Sequence, residues 1–287
     1  MPSRTRTVFI TGCGPFGIGS ALATEFHMRG HRVIASGREA SRLTGLKDLG
    51  IETLVMDVTS QDSIDAAVAH VRTLTDSKLD ILINNAGRNL VLPFTDTSLD
   101  DARRVFDINF FGLFAVTRAF LPMLLGAEGT SIVANMGSVN EIFCPPFFSV
   151  YSASKAAVEI LGTTIRKELA PLGVRVVTLK TGSVHSNLFK NALPTKLPED
   201  SLYASMKDFI ERRSMLEQGR FVAPEAYAKA VVTQLLRPSV KHIIWRGGLS
   251  TVAWVMSWFG WEGMIDRQMI KGYGLDKVPS HGRKYAS

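Results

Sequence analysis

Short apolar segments without internal alternation recur along the chain, and longer segments with helical spacing separate them. The clearest is Ile81-Leu82-Ile83, and such a run is typical of a strand that is covered on both faces of a sheet. The predicted strands are residues 8–11, 32–36, 53–56, 81–84, 131–135, 174–179 and 242–245. Their spacing predicts a parallel sheet of about seven strands.

Helical periodicity lies between these strands. Ile64, Ala67 and Val71 recur on one helix face, and Ser60 stands where a capping residue is expected. A second helix is predicted from about Tyr151 to the residues before a Pro-Leu-Gly sequence. Strand and helix therefore alternate through the chain, which predicts the α/β class with one doubly wound sheet.

Two later stretches depart from this alternation. Residues 185–220 are rich in Lys, Glu, Ser, Pro and Met, and we predict a helical insertion there that covers the carboxyl ends of the strands as a substrate lid. Residues 249–261 are strongly apolar and begin soon after the start of a C-terminal extension, 246–287. A membrane-surface segment, a lid or subunit contact, and plain core all fit this stretch. No linker precedes residue 185, so we predict one domain over 1–287.

Composition narrows the class of protein. An apolar fraction of 46% against 21% charged residues supports a full core and excludes global disorder. Cys13 and Cys144 are too few for a disulfide framework or a Cys-rich zinc site, and we predict no metal. The sequence has neither a spanning apolar run nor an apolar leader, which favours a cytoplasmic protein, with membrane association through 249–261 left open.

The net charge of +7 is compatible with phosphorylated substrates, nucleic acid or anionic lipid. The sequence carries no nucleic-acid-binding motif, so we favour a basic enzyme with a small-molecule substrate and no nucleic-acid partner.

A glycine loop follows the first strand and leads into a helix. Glycines at 12, 14 and 17 permit a tight turn, and the helix N-terminus offers amide donors to a pyrophosphate. The cofactor-binding residues predicted here are Gly12, Gly17, Ile18 and Gly19. A glycine-rich turn without a ligand is the alternative, and Pro15 removes one amide donor from the loop.

The ends of the next strands carry three further cofactor candidates. Arg38 follows the second strand, where an acidic residue would indicate NAD, so its charge favours the 2′-phosphate of NADPH; an exposed surface arginine is the alternative. Asp57 can accept from the adenine amino group or cap the next helix. Asn85 and Gly87 belong to an Asn-Asn-Ala-Gly segment that can contact the cofactor, join neighbouring strands, or both.

The catalytic candidates come from three segments. Tyr151 and Lys155 are four residues apart and share one face of a helix. The ammonium of Lys155 is expected to lower the tyrosine pKa, so that the phenol can give a proton to a carbonyl oxygen. Ser138 is placed to hold that carbonyl. Asn109 lies inside a helical stretch, where it needs a partner, and can anchor a proton relay to the lysine.

In this order and spacing, these motifs resemble the short-chain dehydrogenase/reductase family over roughly residues 7–186. The resemblance implies a Rossmann-like fold and a tetrad of Asn109, Ser138, Tyr151 and Lys155. Tyr151 would then be the acid/base, and Lys155 would bind the nicotinamide ribose. Subunits of this family often assemble, so we expect a homo-oligomer.

The sequence departs from the usual family pattern in its glycine loop, which has one extra residue, and after the sixth strand, where Thr181-Gly182 replaces Pro-Gly. Both departures resemble the fungal branch of NADPH-dependent 1-acyldihydroxyacetone-phosphate reductases. That resemblance implies cofactor contacts from Val184 and Ser186. Arg118 is a further cofactor candidate, with a solvated helix residue as the alternative.

The leading interpretation is an NADPH-dependent reductase of a ketone or aldehyde, in lipid or fungal secondary-metabolite biosynthesis. The alternatives are a scaffold that binds NADPH and steers a non-redox cyclisation, and a membrane-docking protein. An aromatic and proline-rich stretch, 143–148, predicts an apolar substrate wall or ordinary loop packing. His185 can meet an acidic group or remain solvated.

Overall fold

The computed structural model describes residues 4–129, 131–188, 196–218, 220–261 and 263–278. Within them, a seven-stranded parallel sheet has the order β3-β2-β1-β4-β5-β6-β7. The strands are β1 (Thr7–Ile10), β2 (Arg32–Gly37), β3 (Glu52–Val55), β4 (Ile81–Asn84), β5 (Ser131–Met136), β6 (Val174–Thr181) and β7 (Ile243–Arg246). The predicted fold class is therefore confirmed, and each predicted strand is found within two residues of its expected bounds.

Helices flank both faces of the sheet, and some of them lie near the carboxyl ends of its strands. They are α1 (Ile18–Met28), α2 (Thr44–Asp48), α3 (Gln61–Leu74), α4 (Leu99–Phe106), α5 (Leu113–Leu125), α6 (Asn140–Phe143), α7 (Ser149–Leu169), α8 (Lys207–Glu211), α9 (Pro224–Leu235), α10 (Ser250–Phe259) and α11 (Asp266–Gly272). Ser60 caps α3 as predicted, because its hydroxyl oxygen accepts the Ser63 N–H at 3.3 Å.

Strand β1 shows why its apolar run does not alternate with polar residues. Val8 and Ile10 belong to a core cluster that also contains α1 and α9 residues, whereas Phe9 belongs to the cluster under α3 and α5. Phe9 stacks on Phe120 of α5 with the ring centres 4.5 Å apart. Successive side chains of a strand point to opposite faces, so a sheet covered on both faces needs apolar residues at every position.

A π-helical segment, Asp107–Gly112, joins α4 to α5. The whole run Leu99–Leu125 is long and apolar enough to cross a membrane by length and composition. However, Val116, Phe120 and Met123 are buried against the sheet, as in a core helix.

The lid and the C-terminal extension pack near the carboxyl ends of the strands. The described part of the lid contains α8 and two short 3₁₀ turns, Ala204–Met206 and Ser214–Gln218, so it is less helical than predicted. Residues 189–195 and 219 of the lid and 279–287 of the extension lie outside the described residues. Two helices, α10 and α11, form most of the described extension.

Candidate active site

One cavity of about 590 Å³ opens at the carboxyl ends of the strands. Its lining starts at the loop between β1 and α1, crosses the ends of β4, β5 and β6, and finishes at α10 and α11. Strands β1 and β4 are neighbours in the sheet although β2 and β3 lie between them in sequence. The cavity therefore lies at the topological switch point, where doubly wound sheets bind ligands.

The glycine loop brings bare backbone to this cavity. Gly12 has a φ of +71°, and a Cβ atom on it would lie 2.5 Å from the Cα of Ala86, so the close approach requires glycine. The extra residue is accommodated by a tight turn, in which the Gly17 N–H donates to the Gly14 carbonyl at 3.0 Å. Phe16 takes a left-handed conformation in that turn, with a φ of 56°.

The start of α1 faces the same space. This helix begins at Ile18, and no side chain caps its first turn, so free N–H groups and the positive end of the helix dipole are available to an anion. Ile18 lines the cavity, but Gly19 lies behind it, where a Cβ atom would lie 2.5 Å from Asn85 Nδ2. Gly19 packs closely against Asn85, and its contact with a cofactor remains a prediction, whereas the loop and the helix start fit a pyrophosphate.

Asn84, the last residue of β4, and Asn85, which follows it, hydrogen-bond to neighbouring elements at the base of the cavity. Asn84 Nδ2 donates to Asn135 Oδ1 at 2.9 Å and joins β4 to β5, while Asn85 Nδ2 donates to the Gly12 carbonyl at 3.0 Å. The prediction that these side chains join neighbouring elements is confirmed. Asn85 and Gly87 also line the cavity, so structural and cofactor roles are compatible.

Asp57 lines the cavity beyond the end of β3. Its Oδ1 accepts the Thr59 N–H at 2.9 Å and the Thr59 hydroxyl at 2.8 Å. Since Ser60 is the cap of α3, the capping alternative for Asp57 is wrong. Its contact with a cofactor remains a prediction.

Three arginines line the cavity: Arg38 and Arg42 follow β2, and Arg88 follows β4 and interacts electrostatically with Arg38. Burial and the charge of Arg38 both lower the pKa of Arg88. Glu39 and Asp57, which follow β2 and β3, line it as well, so the side chains there carry an excess of positive charge that fits a phosphate. Sequence reasoning missed Arg42, whose only signal is its position four residues after Arg38.

Tyr151 and Ser138 meet at the centre of the cavity wall. The Ser138 hydroxyl oxygen accepts the Asn140 N–H at 3.1 Å, and the same hydroxyl is hydrogen-bonded to the Tyr151 phenol. Burial raises the pKa of Tyr151 to about 12, and the Ser138 hydrogen bond acts in the opposite direction. The phenol is therefore protonated at neutral pH and can serve as a proton donor.

Lys155 lies one turn further along α7. Its ammonium donates to the Met136 carbonyl at 2.7 Å and lies 5.8 Å from the centre of the Tyr151 ring. Burial lowers the pKa of Lys155 to about 8. The expected lowering of the Tyr151 pKa by Lys155 is not found, because burial outweighs it and Ser138 is the group that opposes burial.

Asn109 lies in the π-helical segment, behind the cavity wall. Its Oδ1 accepts the Arg88 N–H at 2.8 Å, and its Nδ2 donates to the Arg88 carbonyl at 3.0 Å and to Ser154 Oγ at 2.9 Å. The partners that a mid-helix asparagine requires are thus present. They connect the loop after β4 to α7, while the role of Asn109 in a proton relay remains a prediction.

The segment after β6 gives a mixed result. Val184 and Ser186 line the cavity, as expected. His185 is exposed and stacks on Phe221 with the ring centres 4.9 Å apart, so it does not face the substrate space. Arg118 is exposed on α5 and is not among the lining residues, so the structure supports its alternative as a solvated helix residue.

In the aromatic stretch 143–148, some residues form an apolar cavity wall and another takes part in ordinary packing. Phe143, Pro145 and Phe148 line the cavity. Phe147 instead packs in the lid, with its ring centre 5.7 Å from that of Tyr203.

A buried charged cluster next to the site was not anticipated from the sequence. Lys180 forms a salt bridge with Glu141, and its Nζ lies 3.3 Å from Glu159 Oε2 and 5.4 Å from the centre of the Trp245 ring. Burial raises the pKa of Glu141 to about 7, although the charge of Lys180 opposes this shift. Glu141 follows Ser138 by three residues, and Lys180 directly follows the predicted strand 174–179.

A glycine loop at the switch point of a doubly wound sheet, beside a buried tyrosine and lysine, defines a dinucleotide-dependent oxidoreductase. The family model of short chain dehydrogenases matches residues 6–197, and the chain belongs to this family.

The chain is 38% identical to a short-chain dehydrogenase/reductase of Pestalotiopsis microspora, covering 97% of each sequence. It is 37% identical to the NADPH-dependent 1-acyldihydroxyacetone phosphate reductase of Schizosaccharomyces pombe, covering 87% of this chain and 88% of that one. Among solved structures, a short-chain dehydrogenase from Streptomyces avermitilis superposes with a TM-score of 0.77 at 28% identity, covering 96% of this chain and 98% of that one.

Proposed function

We propose that the protein reduces a ketone or aldehyde to an alcohol with NADPH. The observation that carries this proposal is the Tyr151 phenol, which is hydrogen-bonded to Ser138 and kept protonated by burial at the cavity wall. In the reduction, the carbonyl carbon receives a hydride and the carbonyl oxygen receives the phenol proton. NADPH, when bound, supplies the hydride.

The other members of the tetrad support this transfer. Ser138 orients the carbonyl oxygen towards the phenol, because its hydroxyl is fixed between the Asn140 N–H and Tyr151. Lys155 would bind the nicotinamide ribose when the cofactor is present, since its ammonium lies 5.8 Å from the centre of the Tyr151 ring on the same helix face. Asn109 holds the loop after β4 against α7 and takes part in returning the proton.

The choice of NADPH rests on the charges at the nucleotide end of the cavity. Arg38, Arg42 and Arg88 line it, and guanidinium groups bind phosphate bidentately. The Schizosaccharomyces pombe relative, which is described as NADPH-dependent, supports the same choice.

A Tyr151→Phe variant tests the proton-donor role. We expect the rate of NADPH oxidation with a panel of ketones to fall about a hundred-fold or more, because general acid catalysis contributes that much. NADPH affinity, measured by fluorescence, should change little. Tyr203→Phe is the matched control, since Tyr203 does not line the cavity. An unchanged rate in Tyr151→Phe would refute the proton-donor role of Tyr151, whereas a wild-type protein that binds NADPH but oxidises it with none of the ketones would favour a non-redox scaffold.

We also propose that the outer side of α10 contacts an anionic membrane surface. Trp258 on α10 is 71% exposed, and Phe259 and Trp261 at and beyond the end of the helix are 76% and 70% exposed, so the plain-core interpretation does not hold for this surface. Trp and Phe are favoured at the headgroup boundary of a bilayer. The net charge of +7 favours anionic lipid.

A homo-oligomer remains a separate proposal. Exposed apolar side chains on α5 and α7, such as Phe114 and Ile160, offer a surface for a second copy. Analytical ultracentrifugation would test it.

A further inference from the structure

The cavity has two chemically different ends because of the strand order. Strands β2 and β3 lie towards one edge of the sheet, and β7 forms the other edge. The β2–β3 end carries Arg38 and Asp57, whereas the β7 end is closed by α10 and α11. Ser138 and Tyr151 lie between the two ends, so a carbonyl held there extends towards the β7 end while the nucleotide occupies the other.

The β7 end is lined by side chains from four separate segments. Phe148 comes from the start of α7, Met215 from the lid, and Val252 and Met256 from α10. Tyr273 follows α11 and also lines this end. Methionine adapts to irregular apolar shapes, and its sulfur packs well against aromatic rings.

Among the cavity-lining residues that the structure describes, charged groups are confined to the other part of the cavity. The charged residues among its described lining are Arg38, Glu39, Arg42, Asp57, Arg88 and Lys155. The first four follow β2 and β3, and Arg88 interacts electrostatically with Arg38. Lys155 donates to the Met136 carbonyl behind Tyr151. Among the described lining residues of the β7 end, the polar side chains are neutral, for example Asn140 and Gln268.

This distribution of charge decides between two kinds of substrate. A phosphate or carboxylate placed at the β7 end would lose water without gaining a cationic partner from the described lining, which is unfavourable. An apolar group there is stabilised because its surface is removed from water. Aromatic rings gain further from Phe148 and Tyr273.

We propose that the substrate is an uncharged, largely apolar carbonyl compound, and not a phosphorylated or carboxylated one. The proposal rests on the reductase function above and specifies its substrate class. It separates this chain from the 1-acyldihydroxyacetone phosphate that its Schizosaccharomyces pombe relative is described as reducing.

A pair of compounds that differ only in the phosphate tests the proposal: 1-acyldihydroxyacetone and its phosphate ester, with 2-tetralone as an uncharged aromatic ketone. Affinity for the NADP⁺-loaded enzyme and kcat/KM with NADPH are measured for each. We expect the two neutral compounds to be favoured at least about ten-fold in affinity, which corresponds to about 1.4 kcal/mol. Equal or tighter binding of the phosphate ester would overturn the proposal.

The affinity measurement separates this proposal from the reductase function, because it needs no turnover. Neutral compounds that bind but are not reduced would refute the reductase function and leave the substrate class supported. Reduction of the phosphate ester in preference to its neutral partner would refute the proposed substrate class and leave the reductase function supported.

The second test adds a positive charge at the β7 end in order to shift the preference from the neutral compounds to the phosphate ester. Met256→Lys places a cation at the β7 end, so the phosphate ester should bind several-fold more tightly and the neutral compounds more weakly. Ser257→Lys adds the same charge at an exposed position of α10 that does not line the cavity, and it should leave the preference unchanged. Failure of Met256→Lys to shift the preference, or an equal shift in Ser257→Lys, would count against the proposal.

Discussion

Arg38 stands at the end of β2, where its side chain faces the cavity while remaining exposed to solvent. Arg42 reinforces it, since the Cβ position of Gly14 would lie 3.5 Å from Arg42 Nη2. Two guanidinium groups beside the glycine loop place positive charge next to the predicted ribose position. Selection between the two nicotinamide cofactors is thus expected to depend on single side chains.

Arg38→Asp should weaken NADPH binding about ten-fold or more while changing NADH binding little. A charged hydrogen bond to the 2′-phosphate contributes about 1.5–3 kcal/mol, and the aspartate adds repulsion. The dissociation constants of both cofactors, measured by fluorescence titration, check this. Arg118→Asp makes the same charge change at an exposed site outside the cavity and should leave both constants unchanged. An unaltered ratio in Arg38→Asp would contradict the role of Arg38.

Glu141 is expected to make the free energy of unfolding depend on pH. Burial raises its pKa from 4.5 to about 7 in the folded protein, and Lys180, Glu159 and Lys155 are the charged groups around it. Between pH 4.5 and about 7, the Glu141 carboxyl group is deprotonated in the unfolded chain but still protonated in the folded protein. Stability therefore falls as pH rises through this window, by on the order of 1–3 kcal/mol.

Glu141→Gln removes this titration, so urea unfolding of the variant should show a flatter pH dependence between pH 4.5 and about 7. Glu168→Gln, at an exposed position of α7, should keep the wild-type slope. A wild-type slope in Glu141→Gln would mean that the carboxyl group titrates alike in the folded and unfolded chains.

Among the elements, the π-helical segment Asp107–Gly112 has the clearest structural task, because Asn109 joins three parts of the fold. Asn109→Ala leaves the Arg88 N–H without its acceptor, and we expect a loss of about 1–3 kcal/mol in the free energy of unfolding. Thr164→Ala removes an exposed hydroxyl of α7 that bonds within its own helix and should stay within about 0.5 kcal/mol. Equal stabilities of the two variants would show that the Asn109 hydrogen bonds do not hold the loop.

Sequence predicts well those elements whose apolar pattern is compatible with only one kind of secondary structure. A run such as Ile81–Asn84 fits a strand buried on both faces, and its bounds are found as predicted. The lid was harder to predict, because α8 has only five residues and is held by packing of Ile210 in the core cluster around Tyr151. Helix α10 was ambiguous for a different reason: composition cannot tell that Val252 and Met256 line a cavity while Trp258 is exposed.

For the site as well, some features were predicted from the sequence and others were not. Motif spacing identified Ser138, Tyr151 and Lys155, because residues after parallel strands and on one helix face must meet. It gave the wrong direction for the Tyr151 pKa, since burial depends on the whole surrounding structure. Glu141 and Lys180 were missed for a related reason: they are 39 residues apart in sequence and become partners through the packing of α6 against the sheet.

In the whole molecule, α10 lies between the cavity and the exposed surface of the protein. One side of the helix lines the apolar end of the cavity, through Val252 and Met256, and the other side exposes Trp254 and Trp258. An apolar substrate that dissolves in lipid would thus have a short path from a bilayer to the cavity. The exposed basic residue Lys271 on α11 adds attraction to anionic headgroups.

This arrangement predicts that replacing Trp258 and Trp261 together by serine weakens membrane binding. In flotation with vesicles of phosphatidylcholine and phosphatidylserine, the bound fraction should fall several-fold, because two interfacial side chains are lost. Pure phosphatidylcholine vesicles should bind less wild-type protein, since they lack the anionic charge. Phe94→Ser, which removes another exposed aromatic side chain, 82% exposed, is the control and should bind like the wild type. Unchanged flotation of the double variant would exclude a membrane role for this surface, and a dimer that dissociates in the same variant would assign it to a second copy of the chain.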